Sequence, residues 1–133
     1  MATRGTPPRT APSEAVGNLM IVLAERKGTC VKTEALPPHY TAKGRLVQWV
    51  IVNGCKCAAD VGVGNFKPKG TGKKHFPFVA AKTRCTVPAG GTETIKLVVG
   101  GAGPQGQTGV FVYTYDIEVN GKPLDPEIII EWF

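Results

Sequence analysis

Apolar and polar residues alternate most regularly over residues 109–119. Phe111, Tyr113, Tyr115, Ile117 and Val119 share one parity, while Thr114, Asp116 and Glu118 share the other. A period of two puts successive side chains on opposite faces of a strand, so this segment predicts a strand with its aromatic face in the core. Residues 46–52 are apolar at both parities apart from Gln48, with Trp49 between Val47 and Ile51, the pattern of a central strand between two layers. Residues 92–99 and 127–133 give two further strands, and in the second Ile128, Ile130 and Trp132 are expected to face the core. Residues 19–25 and 57–63 alternate less cleanly, and 29–34 and 83–87 are short candidates. Gly, Pro and Asn separate these runs and no long helix can be placed, so the pattern predicts a many-stranded all-β sandwich or barrel.

Two Asn-Gly dipeptides mark turns. Asn53-Gly54 lies between two strand-like runs and suits a two-residue hairpin, whose central positions need positive φ. Such a hairpin would pair Val52 with Cys55 and Val50 with Cys57, placing both cysteines opposite the Val47, Trp49 and Ile51 side. A bulge or longer loop would reverse that. After Asn120-Gly121, Pro123 and Pro126 remove backbone donors, so residues 120–126 read as a loop.

With 133 residues the chain is long enough for one hydrophobic core and not two. Residues 1–17 carry Gly5, Pro7, Pro8 and Pro12, almost no large apolar side chain, and Arg4 and Arg9, which predicts a flexible basic arm ahead of a sandwich domain over 18–133. The whole chain is 42% apolar and 20% charged, a globular mix. Its longest unbroken apolar run, residues 19–24, is far short of the roughly 20 needed to cross a bilayer, so no membrane partner is expected. The first residues lack the apolar stretch of a secretory signal, which leaves the compartment unknown, exported or periplasmic if a signal was removed. A net charge of +6 favours anionic partners weakly without naming one.

The C-terminal residues Tyr113, Tyr115, Ile117, Val119 and Gly121, followed by Asp125, Pro126, Ile128 and Ile130, resemble the last two strands of metal-free bacterial cupredoxin-like sandwiches. The 47–53 strand and the Val87-Pro88-Ala89-Gly90-Gly91 turn look like the middle of that family. The resemblance covers about residues 18–133. It implies a cupredoxin-like or immunoglobulin-like antiparallel β-sandwich. Copper-bearing cupredoxins use two His, one Cys and often a Met, three of them near the penultimate strand, a mixed soft donor set suited to copper. Here no Cys, His or Met follows Cys85, so blue-copper electron transfer is not expected and no cofactor is predicted.

Candidate chemistry is sparse. Cys30, Cys55, Cys57 and Cys85 read as buried thiols or disulfides, with a thiolate metal site as the alternative, since zinc sites more often space their cysteines by two to four residues. His39 and His75 are expected in loops with no nucleophile or carboxylate set beside them. The single serine, Ser13, lies in the arm, which excludes an ordinary serine hydrolase. Residues 67–74 are the densest basic stretch. Their Gly-Lys fragment is not a phosphate loop, because Lys67 and Lys74 stand where that motif needs Gly and Ser or Thr. Lys67, Lys69, Lys73 and Lys74 are therefore anion-binding candidates in a solvated loop, with weak nucleic-acid binding a second alternative. The uncharged Gly-rich stretch 99–109 is expected to be a flexible connection. The sequence thus predicts a module that binds or supports rather than catalyses, with a partner that is unknown, a protein being one candidate, and nucleic acid disfavoured. Neither oligomeric state nor specific task is legible.

Overall fold

A computed structural model of the chain describes residues 18–33, 36–70, 73–79, 82–124 and 126–133. The expected arm, 1–17, lies outside the described residues. The strands are β1 (Asn18–Arg26), β2 (Thr29–Lys32), β3 (His39–Ala42), β4 (Leu46–Asn53), β5 (Ala59–Pro68), β6 (Arg84–Val87), β7 (Thr92–Val98), β8 (Gly109–Val119), β9 (Lys122–Leu124) and β10 (Glu127–Trp132), with one 3₁₀ turn at Pro104–Gly106. They form two sheets, one ordered β2-β1-β4-β7 and the other β3-β10-β8-β5-β6 with β9 paired to β8. Most neighbours are antiparallel, but β1 pairs with β4 and β3 with β10 in parallel. No helix among the described residues is long and apolar enough to cross a membrane.

The inward parity of each strand closes the core. Leu19, Ile21 and Leu23 of β1 and Val47, Trp49 and Ile51 of β4 meet Tyr113, Tyr115 and Ile117 of β8 and Ile128, Ile130 and Trp132 of β10, all buried. As expected, β10 turns Ile128, Ile130 and Trp132 inward, and it lies inside its sheet between β3 and β8 rather than at an edge. Trp49 is central, with rings of Phe78 and Tyr115 edge-on at 5.9 and 5.8 Å and its Nε1–H donating to the Tyr115 hydroxyl at 3.0 Å. That bond gives both buried polar tips a partner. The other face of β4 is half-buried rather than covered by a further layer, so its apolar residues at both parities do not mark a strand between two layers.

Strand β5 runs five residues past the expected end at 63. Between Gly64 and Lys67 its register against β8 slips, with Asn65 and Phe66 facing Tyr115 alone and Asn65 at φ 57°. The extra residue exchanges the parities, so Ala59, Val61 and Val63 point inward before the bulge and Phe66 and Pro68 after it. Phe66 then stacks on Tyr115 at 4.9 Å.

Both Asn-Gly expectations are overturned. Asn53-Gly54 is not a hairpin, because β4 and β5 belong to different sheets and the chain crosses between them. Asn53 is instead a buried hub. Its Oδ1 accepts from Cys55 N–H at 2.9 Å, and its Nδ2 donates to the carbonyls of Cys57, Val87 and Pro88 at 3.0, 3.0 and 3.2 Å. Conversely, Asn120 and Gly121, at φ 51° and 87°, form a two-residue turn that pairs Val119 with Lys122 and Glu118 with Pro123. In such a hairpin the second pair outward exchanges no backbone bonds, so the missing N–H of Pro123 costs no ladder bond.

Candidate anion-binding cleft

The cleft arises where β5 stops and β8 does not. Pro68 stands opposite Tyr113, and Lys69 N–H donates to the Val112 carbonyl at 2.7 Å. The chain then leaves the sheet and returns through Lys73 and Lys74 to His75, whose N–H donates to the Phe66 carbonyl at 3.0 Å. Residues 110–112 of β8 are left without a β5 neighbour and form the floor. The facing wall is the Pro104–Gly106 turn with Gln105 and Gln107. Together these segments enclose a cleft of about 720 Å³.

The wall is an ordered, hydrogen-bonded turn, whereas the sequence suggested a flexible connection. Trp132 Nε1–H donates to the Gly100 carbonyl at 2.9 Å, and Gly106 and Gln107 N–H groups donate to the carbonyls of Gly103 and Pro104. A Cβ at Gly103 would lie 2.4 Å from the Gln107 carbonyl oxygen and 3.1 Å from the Trp132 ring, so only glycine allows this close approach.

Of the four lysines singled out in the sequence, Lys69, Lys73 and Lys74 line the cleft. Lys67 does not: it lies on β5 opposite Thr114. Lys69 pairs with Glu127 at 2.8 Å in an exposed contact of little energetic weight. Lys74 also borders a shallower neighbouring hollow with Asn65, Phe76, Asp116 and Glu118.

His75 is in a loop, as expected, and at the base of the cleft. Its Nδ1 lies 2.6 Å from the Tyr113 hydroxyl, and its ring stands edge-on to Trp132 at 6.1 Å. Burial pushes the Tyr113 hydroxyl well above its ordinary range and lowers the His75 imidazole. His39, expected in a loop, is instead a buried inward residue of β3, beside Ile128, and burial lowers it too. Both imidazoles are thus depressed from 6.5 in the folded chain, while the unfolded chain takes up protons there. The unfolded state therefore binds more protons just below that pH, and stability must rise with pH there. A melting temperature that increases from the depressed folded values up to about pH 6.5 is expected. His39→Gln with His75→Gln should flatten that rise.

The cysteines separate into two kinds. Cys30 and Cys55 form a disulfide, Cα to Cα 5.9 Å, tying β2 to the β4–β5 crossover. Cys55 is buried in the core, on the side the tight hairpin would have denied it. Cys57 is an exposed free thiol. Cys85, on edge strand β6 opposite Val61, is a half-buried free thiol pushed up by burial and next by Glu93. A link across 25 residues stabilises by about 3.5 kcal/mol in the loop-entropy account. Selective reduction should lower stability by about 2–4 kcal/mol. Thiol titration should find two groups in the oxidised, unfolded chain, with Cys57 reacting first in the folded one.

Among the described residues no three His, Cys, Asp or Glu side chains form a group able to hold a metal. A copper site of the cupredoxin kind does not fit this donor set: two of the four thiols are bonded to each other, and His75 Nδ1 is taken by Tyr113. Three of the four lysines named from the sequence stand in this lining, while the floor residues Val110–Val112, the glutamine wall and the His75–Tyr113 contact were not anticipated. The one local signal that could have marked the wall is Pro104, since proline presets a turn.

No family model matches the chain, and no curated protein does. Solved structures do. One is the CsuC-CsuE chaperone–tip adhesion subunit pre-assembly complex from archaic chaperone-usher Csu pili of Acinetobacter baumannii. It matches at a TM-score of 0.58 and 12% identity over 72% of this chain and 49% of that one. Another is the McoA multicopper oxidase of Aquifex aeolicus, at a TM-score of 0.53 and 11% identity over 97% of this chain and 32% of that one. The chain therefore spans about half and about a third of the lengths of these two. At such identities the likeness shows the fold alone: an all-β sandwich with immunoglobulin-like and cupredoxin-like neighbours.

Proposed function

We propose that this chain is a non-catalytic binding module whose working site is the lysine cleft and whose ligand carries negative charge. The observation that supports this reading is the convergence of Lys69, Lys73 and Lys74 on one concave, partly apolar site. A pocket of this size with a few convergent polar groups is the usual form of a ligand site. Among the described residues the lining holds no Ser, Thr, Cys, Asp or Glu, and its imidazole is engaged by Tyr113. It therefore offers positive charge and shape but no nucleophile paired with a base. The Cys30–Cys55 disulfide supports an oxidising compartment as part of the same proposal. It also weakens the alternative of a four-thiolate metal site.

Ligand-observed magnetic resonance across small anions and their neutral isosteres tests this reading. At least one anion should bind more tightly than its isostere, weaken with added salt, and lose about fivefold or more in affinity in Lys73→Ala/Lys74→Ala. Binding by no anion, or binding indifferent to that double substitution, would contradict it.

A further inference from the structure

We infer that the ligand is an amphipathic organic anion: one carboxylate- or sulfonate-type head joined to an apolar body of roughly ten or more carbons, rather than a hydrophilic anion such as phosphate. This rests on the binding-cleft reading and narrows it to a chemical class.

The charge supports a small head group. Three ammonium groups line the cleft, but Lys69 already has Glu127 at 2.8 Å, so part of the positive charge is answered within the chain. Lysine ammonium groups are point charges without the rigid fork of arginine, and they do not demand a planar bidentate partner. A long polyanion would also meet Asp116 and Glu118 across Lys74, in the adjoining hollow.

The floor supports an apolar body. Val110 is 54% exposed, and beside it stand Phe111 and Val112, with Pro68 and Pro104 to the sides. A phosphate held by the lysines would leave this surface wet, whereas an alkyl or aryl body removes it from water at about 25 cal/mol per Å². The His75–Tyr113 pair adds a polar group between head and floor. Tyr113 is buried and shares a 2.6 Å hydrogen bond with His75 Nδ1, in which the imidazole tautomer sets which of the two donates. His75, its imidazole lowered by burial, thereby adds an uncharged polar edge to the cleft.

Titration calorimetry with four probes tests the inference: decanoate, decanol, decyltrimethylammonium and inorganic phosphate. Decanoate should bind one to one and about tenfold or more tighter than each of the others. Val110→Asn, at an exposed position, should weaken decanoate about threefold to tenfold while leaving any phosphate binding unchanged, and Lys74→Ala should weaken decanoate by a similar factor. A naphthalene sulfonate in place of decanoate separates aromatic from aliphatic bodies within the same class. Phosphate binding as well as decanoate, with Val110→Asn silent, would overturn the amphipathic class while leaving an anion cleft standing. Decanol binding as well as decanoate would also overturn it, since the head would then contribute nothing. No binding by either anion would remove this inference and count against the cleft itself.

Discussion

Deleting residues 127–133 is expected to abolish cooperative folding. Strand β10 is an interior strand, and its removal leaves β3 without a described partner and uncovers one edge of β8. The inward side chains lost are Ile128, Ile130 and Trp132, each at most 1% exposed. Burial of an isoleucine stabilises by about 1.5–3 kcal/mol, and losing a core tryptophan costs about 3–5 kcal/mol. The sum rivals the roughly 5–15 kcal/mol that holds a domain of this size together. Trp132 also backs the Gly103 turn and the rings of Phe111, Tyr113 and His75, so the residues that shape the cleft lose their packing partner in the same step. A thermal melt followed by circular dichroism should show no sigmoidal transition. A transition near the full-length midpoint would mean that this strand is peripheral.

Replacing Asn53 should be the most damaging polar substitution in the core. Asn53→Ala leaves three carbonyls and one N–H at the end of β4 without their shared partner, in a place only 1% exposed. Each unsatisfied buried group costs about 1–3 kcal/mol, so a loss of about 3–5 kcal/mol is expected after partial relaxation. Asn53→Asp discriminates further. Its carboxylate can still accept from Cys55 N–H but would face three carbonyl oxygens, which disfavours the charged form and raises the folded-state pKa. A raised pKa gives stability that is fully present below the unfolded value of about 3.9 and lost as pH rises through the folded value. The aspartate variant should therefore recover toward the parent as pH falls from 7 to about 4. A deficit relative to the parent that is the same at both pH values would show that the hub does not depend on the amide's donors.

Legibility in the sequence followed locality. Regular alternation in residues 109–119 and 127–133 identified the buried parities of β8 and β10, because a period of two needs nothing beyond the strand itself. The same rule lost the second half of β5, since one extra residue at Asn65 and Phe66 exchanges the parities and makes a continuous strand look like noise. Strand β3 has only four residues and was hidden behind Pro37 and Pro38. The two Asn-Gly dipeptides show the limit most plainly. At Asn120 the local preference for positive φ prevailed, whereas at Asn53 four non-local or crossover hydrogen bonds to the side chain decided the geometry. The cleft was half legible. Its lysines stand out as a charge run, but its floor is an ordinary apolar strand start, and its wall is an uncharged Gly-rich stretch ordered by Trp132, some 30 residues away.

Backbone amide shift mapping during titration with decanoate tests the central claim most directly, because it locates binding without assuming where it occurs. The account predicts shifts concentrated at Lys69, Lys73 to His75, Gln105, Gln107 and Val110 to Val112, and strongly reduced in Lys73→Ala/Lys74→Ala. Shifts gathered instead on the outer face of the β2-β1-β4-β7 sheet, around Met20, Val22 and Val50, or no saturable shifts at all, would contradict it.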